Sequence, residues 1–71
     1  MDFSDRVKNL RLERSLSQAA LGDAVGLSVQ RINDIERGRS KTTIDRAVAF
    51  ADFFGVSLDY LVGRSDDPTS H

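Results

Sequence analysis

The chain has no cysteine and no tryptophan, and only one proline and one histidine among 71 residues. Without cysteine, neither disulfides nor a thiolate metal site can brace the fold, and a reducing, cytoplasmic setting fits. The lone histidine, His71, stands in a polar C-terminal segment, with none of the partners that a metal site or a nucleophilic triad requires. No apolar run approaches the ~20 residues of a membrane span. The first residues, with Asp2, Asp5, Arg6 and Lys8, lack the apolar stretch of a secretory signal. No strand pattern, internal repeat or glycine-rich phosphate loop is present, and the carboxylates are scattered. These absences argue against an enzyme, and no metal or cofactor is expected.

At this length the chain makes one domain. It buries only about 60% of its unfolded surface, for a stability of roughly 3–5 kcal/mol. Net charge is −1, which by itself counts mildly against a nucleic-acid partner. The distribution offsets that sum. Arg31, Arg37, Arg39, Lys41 and Arg46 fall within sixteen residues, whereas Asp52, Asp59, Asp66 and Asp67 crowd the C-terminal third. A basic face beside an acidic back provides the local field that a polyanion needs.

Helix signals recur along the chain. A first helix begins at Asp2 or Ser4, both good N-caps, and runs to about Arg14 with Phe3, Val7 and Leu10 on one face. Leu16 connects it to a second helix, about Gln18 to Val25, capped by Ser17 and stopped by Gly26. Leu27 plugs the turn. Ser28 caps a third helix, about Val29 to Arg37, which Gly38 ends. Thr42 or Thr43 caps a fourth, running to about Phe54 through Ile44, Ala47, Val48, Phe50 and Ala51; Gly55 stops it. Ser57 caps a short fifth, Leu58 to Val62, before Gly63. The expectation is an all-α fold of five short helices over residues 1–63, with residues 64–71 as a disordered tail.

The segment from Ser17 to Gly38 is the most specific. Two short helices joined by a tight turn are how a small protein holds a helix in the DNA major groove. On a wheel of ~100° per residue, Ile32 and Ile35 share one side of the third helix. Val29, Gln30, Asn33, Asp34 and Arg37 span about 140° of the other. The amides of Gln30 and Asn33 donate and accept at once, which suits adenine N6 and N7, and Val29 suits a thymine methyl. Asp34 only accepts, so it pairs with a donor such as cytosine N4 or else orients Gln30 or Arg31 within the helix face. Arg37 reaches guanine or backbone. The start of the second helix, at Gln18, presents free N–H groups to a phosphate. Ser28, Arg39 and Lys41 complete the backbone contacts. Gly22 is read as a small residue that lets the third helix approach, at a propensity cost of roughly 1 kcal/mol against alanine.

The pattern L-R-x-x-R-x-L-S-Q-x-x-L, then V-G-L-S, I-x-x-I-E-R-G and A-D-F-F-G-V-S-L-D-Y-L, resembles the Cro and lambda-repressor type of helix-turn-helix domain from Phe3 to Gly63. The resemblance implies a compact five-helix lambda-repressor-like domain, bacterial or phage-encoded, that binds a near-palindromic operator as a dimer. It implies base reading by Val29, Gln30, Asn33 and Asp34, phosphate contact by Gln18 with Arg37 and Arg39, and an ion pair of Arg11 with Glu36. Three positions depart from the family pattern: Gly22 replaces the usual alanine, Thr42 stands where proline is common, and Asp34 brings a negative charge to the reading face.

Phe50 and Phe54 are expected in the core. Phe53, Leu58 and Tyr60 are expected to form an apolar patch for a second subunit. Two other readings stay open. One is a protein-interaction module, such as an antitoxin or adaptor. The other is the N-terminal DNA-binding part of a longer repressor, with Ser65 to Ser70 as linker.

Overall fold

The computed structural model describes residues 2–65, 67 and 68. The chain forms α1 (Phe3–Glu13), α2 (Gln18–Val25), α3 (Val29–Glu36), α4 (Ile44–Phe54) and α5 (Leu58–Leu61), with no strand among the described residues.

Every helix starts the same way. Asp2, Ser17, Ser28, Thr43 and Ser57 sit in extended backbone just before a helix. Their side-chain oxygens accept from the N–H groups of Asp5, Ala20, Arg31, Arg46 and Tyr60 respectively. Each bond satisfies one of the donors that a helix start leaves unpaired, typically worth about 1 kcal/mol. Between the two threonines offered by the sequence, Thr43 is the cap. The α3 end is a Schellman turn. Gly38 takes φ +74°, its N–H donates to the Ile35 carbonyl, and the Arg39 N–H donates to the Asp34 carbonyl at 2.8 Å.

All five helices contribute to one core: Val7 and Leu10 from α1, Leu21 from α2, Ile32 and Ile35 from α3, Phe50, Ala51 and Phe54 from α4, and Leu61 from α5. Val56 closes it from the α4–α5 turn. Phe3 meets Phe50 edge-on, with ring centroids 5.8 Å apart. Ile44 and Val48 lie outside this core; Ile44 is 72% exposed at the start of α4.

The close approach at Gly22 is real, but its main cause differs from the expected one. A Cβ there would sit 2.3 Å from the backbone oxygen of Leu27, while Ile32 Cγ1 on α3 would be at an ordinary 3.5 Å. The turn, more than the crossing helix, demands the glycine. The Gly22 carbonyl also accepts from the N–H groups of Gly26 and Leu27, so the turn folds back onto it.

In the C-terminal segment, the Arg64 N–H donates to the Asp59 carbonyl and the Ser57 N–H to that of Pro68. Residues 66 and 69–71, His71 included, lie outside the described residues.

Candidate nucleic-acid interface

Helix α3 is divided along its length. Ile32 and Ile35 are fully buried, at 0% and 1% exposure, and Glu36 is buried beside them. On the other side Val29 is 47% exposed, Gln30 and Arg37 are exposed, and Asn33 and Asp34 are half-buried. The isoleucines hold the helix to the body by apolar burial. On the amide-bearing side Gln30 stands open, while Asn33 is partly covered.

The α3 face carries an internal hydrogen bond. Gln30 Nε2 donates to Asp34 Oδ1 at 3.2 Å, across one helical turn. The Asp34 carboxylate thus meets the Gln30 amide on the helix face.

Around this face stand the residues expected to meet a nucleic-acid backbone. Ser28 caps α3, accepting from the Arg31 N–H, and its hydroxyl proton is left for another acceptor. Arg37, Arg39 and Lys41 are exposed at the α3 end and in the following loop. Gln18 is half-buried at the α2 start, and its Nε2 donates to Glu36 Oε1 at 3.3 Å.

That last bond belongs to a larger cluster. Arg11 Nε donates to Glu36 Oε2 at 2.6 Å, and Arg11 Nη2 to Glu36 Oε1 at 2.9 Å. Arg11 Nη1 donates to the Leu16 carbonyl at 2.9 Å. One guanidinium thus ties α1, the α1–α2 turn and the end of α3, and Glu36 also holds the first residue of α2. The side chains are 11% and 3% exposed. The Arg11 guanidinium is held above its ordinary pKa, chiefly by the hydrogen bond to Glu36; burial opposes this, and charge attraction adds to it. A cation whose pKa rises on folding lends its stability at every pH below its ordinary value, so Arg11 stays engaged throughout the neutral range.

Two further arginines escaped the sequence reading. Arg6 is buried, at 7% exposure, with its guanidinium carbon 3.8 Å from the Tyr60 ring centroid, a cation–π contact joining α1 to α5. Its position three residues after Phe3 and four before Leu10 places it on the apolar stripe of α1, a signal that could have found it. Arg14 lies over the Phe54 ring and donates from Nη1 to the Phe53 carbonyl at 3.3 Å and from Nη2 to the Phe54 carbonyl. It puts positive charge on the carbonyl end of α4, where the helix dipole favours it. Nothing in the sequence connects Arg14 with residues forty positions away.

The three residues expected at a subunit interface have different neighbourhoods. Phe53, the most open of them, packs edge-on against Phe54 at 5.2 Å. Leu58 borders a shallow groove with Val48, Ala51 and Val56, rimmed by Asp52 and Asp59. Tyr60 faces Arg6.

Residues 7–61 match the helix-turn-helix family model. The chain is 29% identical, over 93% of its own length, to an uncharacterized helix-turn-helix-type transcriptional regulator, YobD, of Bacillus subtilis (strain 168), covering 59% of that protein. It is 33% identical, over 90% of its length, to the immunity repressor protein of Bacillus phage phi105, covering 44% of that protein. It thus spans about half the length of these relatives. Among solved structures, it superposes on the P22 c2 repressor bound to a synthetic operator with a TM-score of 0.84 at 28% identity, covering 92% of this chain and 98% of that one.

Proposed function

The chain belongs to the helix-turn-helix family of the Cro and lambda-repressor type, and from that premise we propose that it is a sequence-specific DNA-binding transcriptional regulator acting as a repressor in the cytoplasm. The observation that carries this reading is the division of α3: Ile32 and Ile35 sealed inward, Val29 and Gln30 open, and a helix narrow enough for a major groove about 12 Å wide.

The face of Val29, Gln30, Asn33 and Asp34 is turned to base edges. Gln30 and Asn33 supply paired donor and acceptor atoms, and Val29 supplies apolar contact for a thymine methyl. Ser28, Arg37, Arg39 and Lys41 hold phosphates on the flanks, and Gln18 does so from the α2 start. The bond from Gln18 to Glu36 uses one of its amide hydrogens and leaves the second for a phosphate oxygen. Two copies, meeting through the surface that carries Phe53, Leu58 and Tyr60, place their α3 helices in successive major grooves ~34 Å apart. The phage phi105 relative, named as an immunity repressor, and the operator-bound P22 protein support the DNA-binding part of this assignment.

Selection from random duplex DNA by the purified chain at low salt tests the reading. Enrichment of a twofold-symmetric site with half-sites one helical turn apart is the expected result. Recovery of unenriched sequence at low salt would remove DNA reading and favour a protein partner. The acid-rimmed groove of Val48, Val56 and Leu58 is the surface such a partner would use.

A further inference from the structure

Asp34 is an odd residue on a surface meant for DNA. Its carboxylate faces the same side as Gln30, where phosphates would be near, and a negative charge there weakens binding to every sequence. The hydrogen bond from Gln30 Nε2 to Asp34 Oδ1 supplies a reason for its presence. We propose that Asp34 is a positioning residue: it orients the Gln30 amide so that Gln30 selects adenine over guanine, and it reads no base itself. The proposal rests on the reading of α3 as the DNA-recognition helix.

The chemistry is one of donors and acceptors. A free glutamine amide can meet a purine in two ways. Edge-on, Oε1 accepts from adenine N6 while one Nε2 hydrogen donates to N7; swung so that Nε2 leads, it directs both hydrogens at guanine N7 and O6. A carboxylate accepts only. With Asp34 beside it, the amide must turn nitrogen toward the carboxylate, because the reverse would set oxygen against oxygen. One Nε2 hydrogen is then committed to Asp34. The other Nε2 hydrogen and Oε1 remain, the donor–acceptor pair that adenine matches. The four-residue spacing on α3 places the two side chains one turn apart, where a glutamine–aspartate bond also supports the helix.

The test compares the full chain with its Asp34→Ala, Asp34→Asn and Gln30→Ala variants on the site selected by the parent. Gln30→Ala identifies the base pair that Gln30 meets. At that pair the parent prefers adenine over guanine by about tenfold or more, and Asp34→Ala reduces the preference to about threefold or less. Asp34→Asn does the same while keeping the shape, because asparagine can donate as well as accept and so tolerates either amide orientation. Both variants bind all duplexes more tightly, through lost repulsion, with preferences elsewhere in the site unmoved. An adenine-to-guanine ratio within twofold of the parent overturns the proposal. So does a loss of preference at a base pair other than the one assigned to Gln30, since Asp34 would then read that base directly. A second measurement needs no DNA: the side-chain amide resonances of Gln30 in the free protein should shift in both Asp34 variants, and unshifted resonances overturn the tether. A parent that selects no sequence overturns the DNA reading and this proposal together, whereas a selective parent with an unmoved ratio overturns the proposal alone.

Discussion

The two turns that flank α2 do the same job by different means. The α1–α2 turn has a non-glycine residue, Ser15, at φ 56°, and is held by a side chain: Arg11 bonds the Leu16 carbonyl with one arm and Glu36 with the others. The α2–α3 turn is held by the backbone: Gly26 takes φ 77°, and the turn lies so close to Gly22 that no Cβ fits. The first turn is pinned from outside, through a long-range ion pair. The second is pinned by its own compactness. Both end on α3, one at Glu36 and the other beside Ile32, so the inward side of that helix is fixed twice while its outward side carries only the bond from Gln30 to Asp34.

Breaking the side-chain pin should have the largest effect. Glu36→Ala leaves Arg11 partly buried without its carboxylate and costs about 3–5 kcal/mol. In a domain with roughly that much stability in total, the expected outcome is loss of the cooperative thermal transition by circular dichroism. A transition within a few degrees of the parent would mean that the α1–α2 turn stands without its pin. Gly22→Ala attacks the backbone-held turn. The added methyl must push the Leu27 carbonyl aside, at a cost of about 1–3 kcal/mol by chemical denaturation. An unchanged midpoint would show that the turn has slack, and the contrast between the two turns would fail.

Gln30→Ala sharpens the division of α3. It should leave the unfolding midpoint within about 0.5 kcal/mol of the parent while weakening operator binding by about 1–3 kcal/mol. A fall in stability comparable to the fall in binding would mean that the outward side does carry structural load. The smallest effect runs the other way. Ser15→Gly relieves a left-handed conformation that serine adopts at a cost, and should stabilise the chain by about 0.5–1 kcal/mol. If the glycine variant is instead less stable, the serine side chain contributes something its backbone angle does not reveal.

The five helices were legible because their signals are local. A serine, threonine or aspartate three residues before the N–H it accepts from is visible in the order of the letters. So is a glycine at φ 77° after Val25, or two isoleucines three residues apart. The exposed side of α3 followed from the same periodicity. The site is less legible wherever one of its members has a second partner. Gln18 was read as a phosphate contact from its place at a helix start, yet its amide also bonds Glu36, eighteen residues away. Phe53, Leu58 and Tyr60 are close in sequence, but helix geometry and the α4–α5 turn send them to different neighbours.

By itself the sequence determined where helices begin and end and which stripe of each is apolar, since these depend on hydrogen bonds and side-chain spacing within a few residues. Tertiary structure alone decided that Arg6 would be buried against Tyr60 and that Arg14 would cap α4. It also decided that the glycine at position 22 answers to a turn carbonyl more than to the crossing helix. The arginine contacts join atoms that become neighbours only after the helices have docked, and no short stretch of chain contains both partners; the approach of Leu27 to Gly22 is short-range, but it exists only once the turn has folded back onto α2.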